Sequence, residues 1–208
     1  MPERDAERSR REILMAAEAE FAQKGFYGAR VDAIARRSGR NKRMIYVYFG
    51  DKEGLWRQVI SEVYRRMEEA EQSLIDLQLS GRELVRRMVY TYFDFLQANP
   101  SFVSLLSWEN LDGGCRLEPL PEGKIGRQSL QFFVDALERG KAEGIFRPEI
   151  DPWHTALSMI TTSFANFSNR YTLSRLFGAD LCGAEMLAAR KEHTARLILG
   201  CICTEGEE

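Results

Sequence analysis

The prolines of this chain are placed so that long helices remain possible on both sides of its middle. They occupy positions 2, 100, 119, 121, 148 and 152, so residues 3–99 and 153–208 lack the residue that most strongly breaks a helix. Apolar residues in both stretches recur at spacings of three and four, and we find no alternating strand pattern, repeat or low-complexity tract. The sequence therefore predicts an all-α protein.

Capping residues and glycines predict where the helices begin and end. Ser9 and Glu12 have the spacing of a capping box, Gly39 can end a short helix, and Asn41 and Asp51 can each begin one. The predicted helices of the first half run over 9–24, 31–39, 41–50 and 51–77. Those of the second half run over 84–96, 102–111, 127–143, 153–171 and 187–201, with a long loop over 112–126.

Length and composition are those of an ordinary globular protein. With 208 residues, the chain is long enough for one medium domain or for a small domain joined to a larger one. It is 44% hydrophobic with a formal net charge of -2, and no apolar run approaches the roughly 18 residues of a membrane helix. The charged N-terminus lacks the apolar segment of a signal peptide, so we expect the chain to stay in the cytoplasm. The cysteines lack a C-x-x-C motif, which fits thiols in a reducing compartment better than a disulfide framework: Cys115, Cys182, Cys201 and Cys203.

Positive charge is concentrated at the start of the chain. Residues 1–57 contain 13 basic and 9 acidic side chains, a net charge of +4, whereas the remainder carries -6. Attraction to phosphate acts over about 8 Å at physiological salt, so a local basic surface can bind nucleic acid although the whole chain is slightly acidic. Charge also fluctuates along any chain, and this asymmetry alone leaves that simpler interpretation open.

Residues 31–49 have the spacing of a helix-turn-helix. Two helices that cross closely need a small residue at the crossing, a residue that tolerates positive φ at the turn, and an apolar residue on the second helix. Ala35, Gly39 and Ile45 supply these at offsets of four and ten. Asn41 can cap the second helix, which favours a motif that inserts the N-terminal end of this helix into the DNA major groove.

Five segments of the N-terminal part resemble those of TetR-family transcriptional regulators. The five segments align with the family between residues 13 and 55 without any insertion or deletion. They are 13–21, 24–26, 31–35, 38–39 and 45–55. The resemblance implies an N-terminal three-helix, helix-turn-helix DNA-binding domain over 1–56 and a larger C-terminal helical domain for effector binding and dimerisation over 57–208. Carried over by position, the family's DNA contacts fall on Arg30, Asn41, Lys42, Arg43, Tyr46, Tyr48 and Lys52.

Some of these contacts have a simpler alternative. The ring of Tyr46 can belong to the core beside Ile45 instead of reaching DNA. Tyr48 lies on the side of its helix that is expected to face solvent, which favours a phosphate contact. Lys52 stands at a helix N-terminus, where backbone N–H groups attract anions, although it can equally be a solvated side chain.

The chain departs from the family pattern at three places. Arg40 stands where an apolar residue, often valine, is usual, so we expect its stem to pack and its head to reach solvent or phosphate. Ala29-Arg30 replaces a hydroxyl pair at the start of the second helix, where Asp32 can cap weakly and Arg30 can contact phosphate. Arg43 replaces a small residue, and its guanidinium can form a bidentate contact with guanine.

The C-terminal part carries a second resemblance and the candidate ligand site. Residues 100–102, 108–110 and 143–146 are similar to the C-terminal domain of regulators of pyrimidine utilisation. A pocket needs mostly apolar walls with a few oriented polar groups, although most aromatic residues here can instead be ordinary core. The predicted ligand contacts are Tyr92, Trp108, Glu109, Asn110, Phe133, Phe164, Phe167 and Tyr171.

The resemblance to the family also implies a dimer and a form of control. The last two long helices are expected to pair in a four-helix dimer interface, with Leu187, Thr194, Ile198 and Cys201 as candidate interface residues. Two recognition helices about 34 Å apart can read a palindrome. The fourth helix begins near phosphate at Lys52 and is expected to end near the ligand, so a tilt can change the spacing of the recognition helices, with a coupling of about 1 to 3 kcal/mol.

The sequence thus predicts a homodimeric repressor that binds a palindromic operator in double-stranded DNA and is released by a small-molecule effector. Two alternatives stay open: an all-α ligand-binding protein with a degenerate DNA-binding domain, and a DNA-binding activator. Catalysis is a poor fit because His154 and His193 are isolated and no G-x-S-x-G, P-loop or H-E-x-x-H motif occurs. We predict no catalytic residue, cofactor or metal site, since Cys201-Ile202-Cys203 lacks the usual zinc spacing.

Overall fold

A computed structural model describes residues 2–76, 79, 81–117 and 127–204. Within these ranges the chain forms ten helices and no strand, which confirms the all-α prediction, and the one β-type pairing is an isolated bridge between Phe146 and Cys203. None of these helices has the length and apolar character that crossing a membrane requires. The helices are α1 (Pro2–Gly28), α2 (Val31–Ser38), α3 (Lys42–Phe49), α4 (Lys52–Asp76), α5 (Gly81–Ala98), α6 (Pro100–Leu111), α7 (Arg127–Ala142), α8 (Pro152–Ser168), α9 (Arg170–Phe177) and α10 (Ala184–Ile202).

Helix α1 starts well before the position that the capping pattern predicted. It begins at Pro2, so Ser9 lies inside the helix and is buried, and the predicted capping box of Ser9 and Glu12 is wrong. Proline suits a first helical position because its missing N–H has no partner to lose there. The regular geometry is interrupted at Gly25, whose φ of 66° and ψ of 180° are not helical. This is where the sequence predicted the helix to end.

One predicted helix of the second half is two helices in the structure. The segment predicted over 153–171 breaks at Asn169, which separates α8 from α9. Asp151 begins α8 by accepting a hydrogen bond from the backbone N–H of His154 at 3.0 Å. Residues 112–117 form turns, as predicted for the long loop. The rest of that loop, residues 118–126, and the predicted end of the fourth helix at residue 77 lie outside the described residues.

Internal packing divides the chain into two compact units. The first contains Met1–Arg65 and Ser101–Ile125, and the second contains Arg66–Pro100 and Gly126–Glu208. Helix α4 therefore gives its first turns to the first unit and its later turns to the second, and α6 belongs with the N-terminal helices. This division differs from the predicted boundary after residue 56 because a helix from later in the chain completes the N-terminal core.

The first unit is built on α1, which packs against α2 and α3. Its fully buried side chains include Phe21 of α1, Ile34 of α2 and Ile45 of α3. The ring of Phe21 also meets Trp56 of α4 edge to face, with 4.9 Å between the ring centroids. Burying an apolar side chain of this size contributes about 1.5–3 kcal/mol, so these contacts hold the short helices in place.

The second unit is centred on α5, which packs against α8 and α10. The rings of Phe93 and Phe167 lie 5.7 Å apart in its core. At the edge of the core, Glu192 of α10 accepts hydrogen bonds from Arg86 at 2.8 Å and from the hydroxyl of Tyr90 at 2.5 Å. These contacts tie α10 to α5 within one chain.

Most of the residues predicted for a dimer interface take part in this intrachain packing. Leu187, Thr194 and Ile198 are only 2%, 0% and 7% exposed, because α10 packs against α5 and α8. Cys201 is exposed. Leu187, Thr194 and Ile198 are thus buried within the protomer, and their part in a dimer interface stays a prediction.

Candidate functional site

Helix α3, the second helix of the predicted helix-turn-helix, buries one side and exposes the other. Ile45 and Phe49 are buried, while Tyr46 is 43% exposed and therefore does not belong to the core. Val47, which sequence reasoning overlooked, is 70% exposed and follows Arg43 by four residues on the same helical face. The exposed side chains of α3 are Lys42, Arg43, Tyr46 and Val47.

The turn before α3 has the geometry that the sequence predicts. Gly39 adopts φ 65°, and a Cβ added at this position would meet no atom within 4 Å. Glycine is therefore required by the backbone conformation and not by a lack of space. The N–H of Arg40 then bonds to the carbonyl oxygen of Ala35 at 3.1 Å. The side chain of Asn41 accepts from the backbone N–H of Arg43 at 2.8 Å. The predicted turn and N-cap are confirmed.

The guanidinium of Arg40 pairs with a carboxylate of the same chain, although its position in the sequence suggested solvent or phosphate. Its Nε donates to Oε2 of Glu12 at 2.7 Å, and its Nη2 bonds to the same oxygen. The guanidinium is therefore paired with α1 instead of pointing freely to solvent or phosphate. Hydrogen bonds from Arg40, and then from Arg8, lower the pKa of Glu12. A pair of opposite charges thus replaces the apolar contact expected between this turn and the first helix.

A second ion pair joins α2 to α3. Nζ of Lys42 lies 2.8 Å from Oδ1 of Asp32, and both side chains are exposed. This hydrogen bond is the main reason that the pKa of Lys42 is raised. Asp32 does not cap α2 as expected, because the N-cap residue is Arg30 and no side chain caps the helix start. Lys42, a predicted DNA contact, already has an anionic partner within the chain.

Glu20 is a structural residue of this motif that sequence reasoning missed. It is buried, and its Oε1 accepts from Nζ of Lys24 at 2.8 Å and from the backbone N–H of Arg30 at 3.3 Å. The bond from Lys24 is the main cause of its lowered pKa. A carboxylate of α1 therefore satisfies the amide at the start of α2. No local pattern indicates this, since Glu20 and Arg30 meet only in the folded chain.

The start of α4 brings a lysine close to other positive charges. Asp51 accepts from the backbone N–H of Gly54 at 2.7 Å, which confirms it as the cap of this helix. Nζ of Lys52 lies 4.9 Å from the ring centroid of Phe26. Burial lowers the pKa of Lys52, and the positive charges of Arg30 and Arg116 lower it further. Such a cluster of cations at a helix N-terminus favours an anion.

A cavity of about 220 Å³ lies inside the first unit. Its lining includes Trp56 of α4 and Glu109 of α6, and Nε1 of Trp56 donates to Oε1 of Glu109 at 2.6 Å. Glu109 is 1% exposed, and its Oε2 has no hydrogen-bond partner among the described residues. The full lining is Phe26, Tyr27, Trp56, Trp108, Glu109, Leu111, Asp112 and Arg116.

Arg116 supplies a positive charge to this cavity. Its guanidinium carbon lies 3.9 Å from the ring centroid of Phe26 and 4.9 Å from that of Tyr27. Its Nη2 donates to the hydroxyl oxygen of Tyr27 at 3.0 Å, and its Nη1 pairs with Asp112. The wall of aromatic rings therefore already holds one cation, and Asp112 neutralises it.

Trp108 closes the cavity against the end of α1. Its Nε1 donates to the carbonyl oxygen of Ala22 at 3.2 Å. A Cβ added to Gly25 would lie 2.7 Å from Cδ2 of Trp108, so the indole rests directly on the backbone of this glycine. Of the three consecutive ligand contacts predicted here, Trp108 and Glu109 line the cavity, whereas Asn110 is exposed and donates to the carbonyl of Leu106 in its own helix.

The other predicted ligand contacts belong to the second unit. Phe133 and Phe167 are buried, and Tyr92 and Phe164 are partly exposed. Tyr171 is 70% exposed, so within one protomer it does not form the wall of an enclosed pocket. Polar groups are also buried in this unit without a hydrogen-bond partner among the described residues: Oγ of Ser163, Nδ2 of Asn166 and Oγ1 of Thr194.

Two helices of the second unit expose apolar side chains along one side. On α8, Trp153 is 51% and Leu157 is 55% exposed. On α10, Met186 is 38% and Leu197 is 51% exposed, and both share a helical face with Cys201. Contiguous apolar surface of this kind is typical of a protein interface.

Comparison with known proteins places the chain in a family. A family model described as bacterial regulatory proteins, tetR family, matches residues 13–59, and one described as tetracyclin repressor-like, C-terminal domain, matches residues 82–198. The HTH-type transcriptional repressor NicS of Pseudomonas putida is 32% identical over 185 residues, which cover 88% of this chain and 87% of NicS. The chain belongs to the TetR family. The resemblance found in residues 13–55 is thereby confirmed, and the chain is a DNA-binding transcriptional regulator.

Further similar proteins agree with this assignment. The HTH-type transcriptional repressor SCO4008 of Streptomyces coelicolor is 30% identical over 153 residues, 72% of this chain and 73% of that one. The crystal structure of the putative transcriptional regulator SCO4942 of Streptomyces coelicolor superposes with a TM-score of 0.74 at 24% identity, covering 93% of this chain and 98% of that one. FadR of Bacillus subtilis, solved in complex with stearoyl-CoA, superposes with a TM-score of 0.72 at 18% identity, covering 91% and 97%. At these identities the two structures show the shared fold.

The family assignment also bears on catalysis. The matching family and the named relatives are transcriptional regulators, not enzymes. Among the described residues, no group of three or more His, Cys, Asp or Glu side chains is arranged to hold a metal ion. All four cysteines are free thiols. The similarity to regulators of pyrimidine utilisation stays a prediction, since the matching C-terminal model is described by its likeness to the tetracyclin repressor.

Proposed function

We propose that this regulator is a homodimeric repressor that reads a palindromic operator with α3 and leaves it when a small-molecule effector binds. The observation that carries the proposal is the exposed face of α3. Arg43 and Val47 project from a helix whose other side is fixed by buried Ile45 and Phe49. A helix that is packed against the protein on one side and exposed to solvent on the other can insert into the major groove.

The exposed residues of α3 can read bases by different chemistry. Arg43 is exposed, and no described hydrogen bond or ion pair engages its guanidinium, so this group can bond to O6 and N7 of guanine. Val47 offers an apolar surface of the kind that packs against a thymine methyl group. Lys42 exchanges its partner Asp32 for a phosphate when DNA binds.

Phosphate contacts position the motif on DNA. Arg30 precedes α2 and Lys52 begins α4, and the positive end of each helix dipole adds to the attraction. Burial first, and the charges of Arg30 and Arg116 second, lower the pKa of Lys52, and a phosphate beside its ammonium group would favour the charged form. Asn41 and Tyr48 complete the proposed DNA contacts.

The dimer is proposed to form through the exposed apolar sides of α8 and α10. Trp153 and Leu157 lie on the first of these helices, and Met186, Leu197 and Cys201 lie on the second. An isologous interface uses the same patch on both copies, and helices with exposed apolar stripes pair readily in this way. Two copies are needed because one recognition helix covers only a few base pairs.

The effector site is proposed to lie in the second unit, where polar groups are buried without partners. Ser163 and Thr194 are 0% exposed and Asn166 is 6% exposed. Leaving a buried polar group unpaired costs about 1–3 kcal/mol, which a ligand with complementary polar atoms recovers. Helix α4 contributes to both units, so a shift of this helix connects the effector to Lys52. The structurally similar FadR of Bacillus subtilis, solved in complex with stearoyl-CoA, supports a site of this kind.

DNA binding is tested with a fragment taken from beside the gene that encodes the chain. Fluorescence anisotropy against rising salt measures the number of phosphates released, since log K falls by about 0.9 per phosphate for each unit of log salt. We expect Lys52→Ala to weaken binding to all sequences and to reduce this slope by about 1. Arg43→Ala should cost about 1–3 kcal/mol and relax preference at one or two base pairs.

The control is Arg36→Ala, which removes an exposed positive charge from α2, the other helix of the motif. It should change affinity less than Lys52→Ala and leave base preference intact. Unchanged base preference in Arg43→Ala would show that this residue does not read bases.

Release by the effector is tested with a compound found by thermal shift. Such a compound must bind free protein more tightly than operator-bound protein, and equal affinities contradict release by the effector.

A further inference from the structure

We infer that the cavity in the first unit binds a small organic cation whose ammonium group pairs with Glu109. The cavity opens to solvent and is bordered by the end of α1, the start of α4 and the end of α6 with the turn after it. This site is separate from the effector site proposed for the second unit. The inference does not depend on DNA binding, because both the site and its test concern the free protein.

The size and the walls of the cavity suit a single ring with a short side chain. Its volume is about 220 Å³, whereas about 150 Å³ is enough to hold benzene in a buried apolar cavity. Four of the lining side chains are aromatic, and the faces of aromatic rings attract cations within about 6 Å. They are Phe26, Tyr27, Trp56 and Trp108.

The charge of the lining selects a cation. Glu109, Asp112 and Arg116 are its charged side chains, and Asp112 is paired with Arg116. Glu109 is 1% exposed and has only the neutral indole N–H of Trp56 on Oε1, while Oε2 has no partner among the described residues. A buried carboxylate oxygen without a donor is costly, and an ammonium group is the donor that also cancels its charge.

Arg116 shows that these rings accept a positive charge. Its guanidinium lies over Phe26 and Tyr27, at 3.9 and 4.9 Å from their centroids. It stands on the turn after α6, in residues 112–117, where Asp112 and Tyr27 hold its guanidinium, so the inference requires a ligand cation to displace it from the rings. A ligand cation then replaces the guanidinium on the rings and gains the contact with Oε2 of Glu109 that Arg116 does not make.

The test uses the tryptophans of the full-length protein as reporters. The chain has three tryptophans, of which Trp56 and Trp108 line the cavity while Trp153 of the second unit does not. Their indole N–H signals are followed by ¹⁵N NMR during titration with benzylamine, which is positively charged at pH 7. Benzyl alcohol and benzoate are the neutral and anionic probes of the same ring size, and a Trp153→Phe spectrum assigns the reference signal.

We expect benzylamine to shift the signals of Trp56 and Trp108 in a saturable way and to leave that of Trp153 in place. Benzyl alcohol and benzoate should bind about tenfold more weakly or not at all, because neither supplies a positive donor to Glu109. No saturable shift with benzylamine up to about 10 mM, or equal affinity for benzyl alcohol, overturns the inference.

Two variants test the assigned roles. Glu109→Gln keeps an oxygen for the Trp56 N–H and removes the charge, so benzylamine should bind about tenfold more weakly, whereas Glu138→Gln at an exposed position of α7 should bind as the wild type does. Arg116→Met removes the competing cation, so benzylamine should bind about fivefold more tightly. Unchanged affinity in Glu109→Gln refutes the pairing. Unchanged or weaker binding in Arg116→Met refutes the displacement, and this variant remains informative if Glu109→Gln does not fold.

Discussion

The two units of this protein satisfy their polar groups in different ways. In the first unit, charged side chains tie the short helices to α1, since Glu12 pairs with Arg40 and buried Glu20 accepts from Lys24 and from the backbone of Arg30. Helices α2 and α3 have only eight residues each, and isolated helices of that length are not stable in water. Burial of Ile34 and Ile45 supplies most of the energy that holds the proposed DNA-reading surface in position within one protomer, and these polar contacts add to it.

The second unit leaves more groups without partners. Ser163, Asn166 and Thr194 bury polar atoms that no described residue satisfies, and Leu157 and Leu197 expose apolar surface on α8 and α10. Both features cost free energy in an isolated protomer. We infer that the helix-turn-helix of the first unit is held by contacts within the chain, whereas the second unit is completed by a second copy and a ligand.

The largest expected effect tests the apolar surface of the second unit. Leu197→Glu places a carboxylate on the exposed side of α10, and a symmetric dimer carries the change twice. We expect the dimer dissociation constant to rise about 100-fold or more, because both charges would be buried without a partner. Leu197 is 51% exposed, so the protomer should stay folded. Sedimentation velocity over a range of protein concentrations measures the change.

The matched control is Met15→Glu, which places the same charge at a 64% exposed apolar position of α1 in the first unit. It should leave self-association unchanged. Circular dichroism of both variants shows whether the helices are intact. If Leu197→Glu self-associates as tightly as the wild type, the dimer does not use this side of α10.

The next effect concerns the packing of the first unit at Gly25. This residue has φ 66°, and an added Cβ would lie 2.7 Å from Cδ2 of Trp108. Gly25→Ala should therefore lower the free energy of unfolding by about 3 kcal/mol, from an alanine forced to φ 66° with ψ 180°, a region that is nearly confined to glycine, and from the clash with the indole. Gly39→Ala is the comparison, because its φ of 65° with ψ 19° is the left-handed region that alanine reaches at lower cost, and the space around it is open.

Urea unfolding with linear extrapolation measures both glycine variants. Gly39→Ala should cost about 1 kcal/mol, the price of the backbone conformation alone. The difference between the two variants contains the extra backbone cost at Gly25 and the contact with Trp108. Equal losses would mean that neither the backbone conformation of Gly25 nor the indole adds to the cost of the alanine.

A smaller effect depends on pH and tests the ion pairs of the first unit. Contacts with Lys24, and then with the backbone of Arg30, lower the pKa of Glu20 below its usual 4.5. A carboxyl group whose pKa is lowered by folding adds stability above its unfolded pKa and loses it as the pH falls through the folded value. Glu20→Gln should thus cost about 1–2 kcal/mol at pH 7 and progressively less below about pH 4.5.

Urea unfolding of wild type and Glu20→Gln at several pH values between 7 and 3 measures this difference. The same comparison in a Lys24→Met background should give a smaller loss, because Lys24 supplies the main interaction. A loss that is constant over the whole range would mean that the charge of Glu20 does not contribute and that only the shape of its side chain does.

The smallest effect concerns the pair of Arg40 and Glu12. Their side chains are 29% and 33% exposed, and ion pairs of this kind contribute about 0.2–1 kcal/mol. A double-mutant cycle with Arg40→Val and Glu12→Gln should give a coupling within this range that decreases with added salt. A coupling that salt leaves unchanged would indicate that packing of the arginine stem, and not charge, holds the turn to α1.

The helix-turn-helix was largely predictable because its rules are local. Gly39 at the end of α2, Asn41 at the start of α3 and Asp51 before α4 act on backbone groups two to five residues away, and all three were confirmed. The same kind of rule failed at Ser9. A capping box requires the chain to leave the helix before serine, and the preceding residues Pro2–Arg8 are themselves helical.

The candidate sites beyond this motif were predicted less well. Sequence spacing indicated Leu187, Thr194 and Ile198 as interface residues, because an apolar stripe has the same period whether it faces its own core or a partner. Val47 was overlooked because exposure, not residue type, makes it available to DNA. An apolar stripe along a helix predicts that this face of the helix is buried. It does not specify whether the chain's own core or a partner covers the face.

The sequence by itself determined the all-α class, the boundaries of the DNA-binding motif and the family, since each depends on residues that are neighbours in the chain. Only the tertiary structure decided that Glu20 meets the start of α2, that Arg40 pairs with Glu12, and that Trp56 bonds to Glu109. The physical reason is distance along the chain. Such pairs form when packing of apolar faces brings distant segments together, and the residue types alone allow many other pairings.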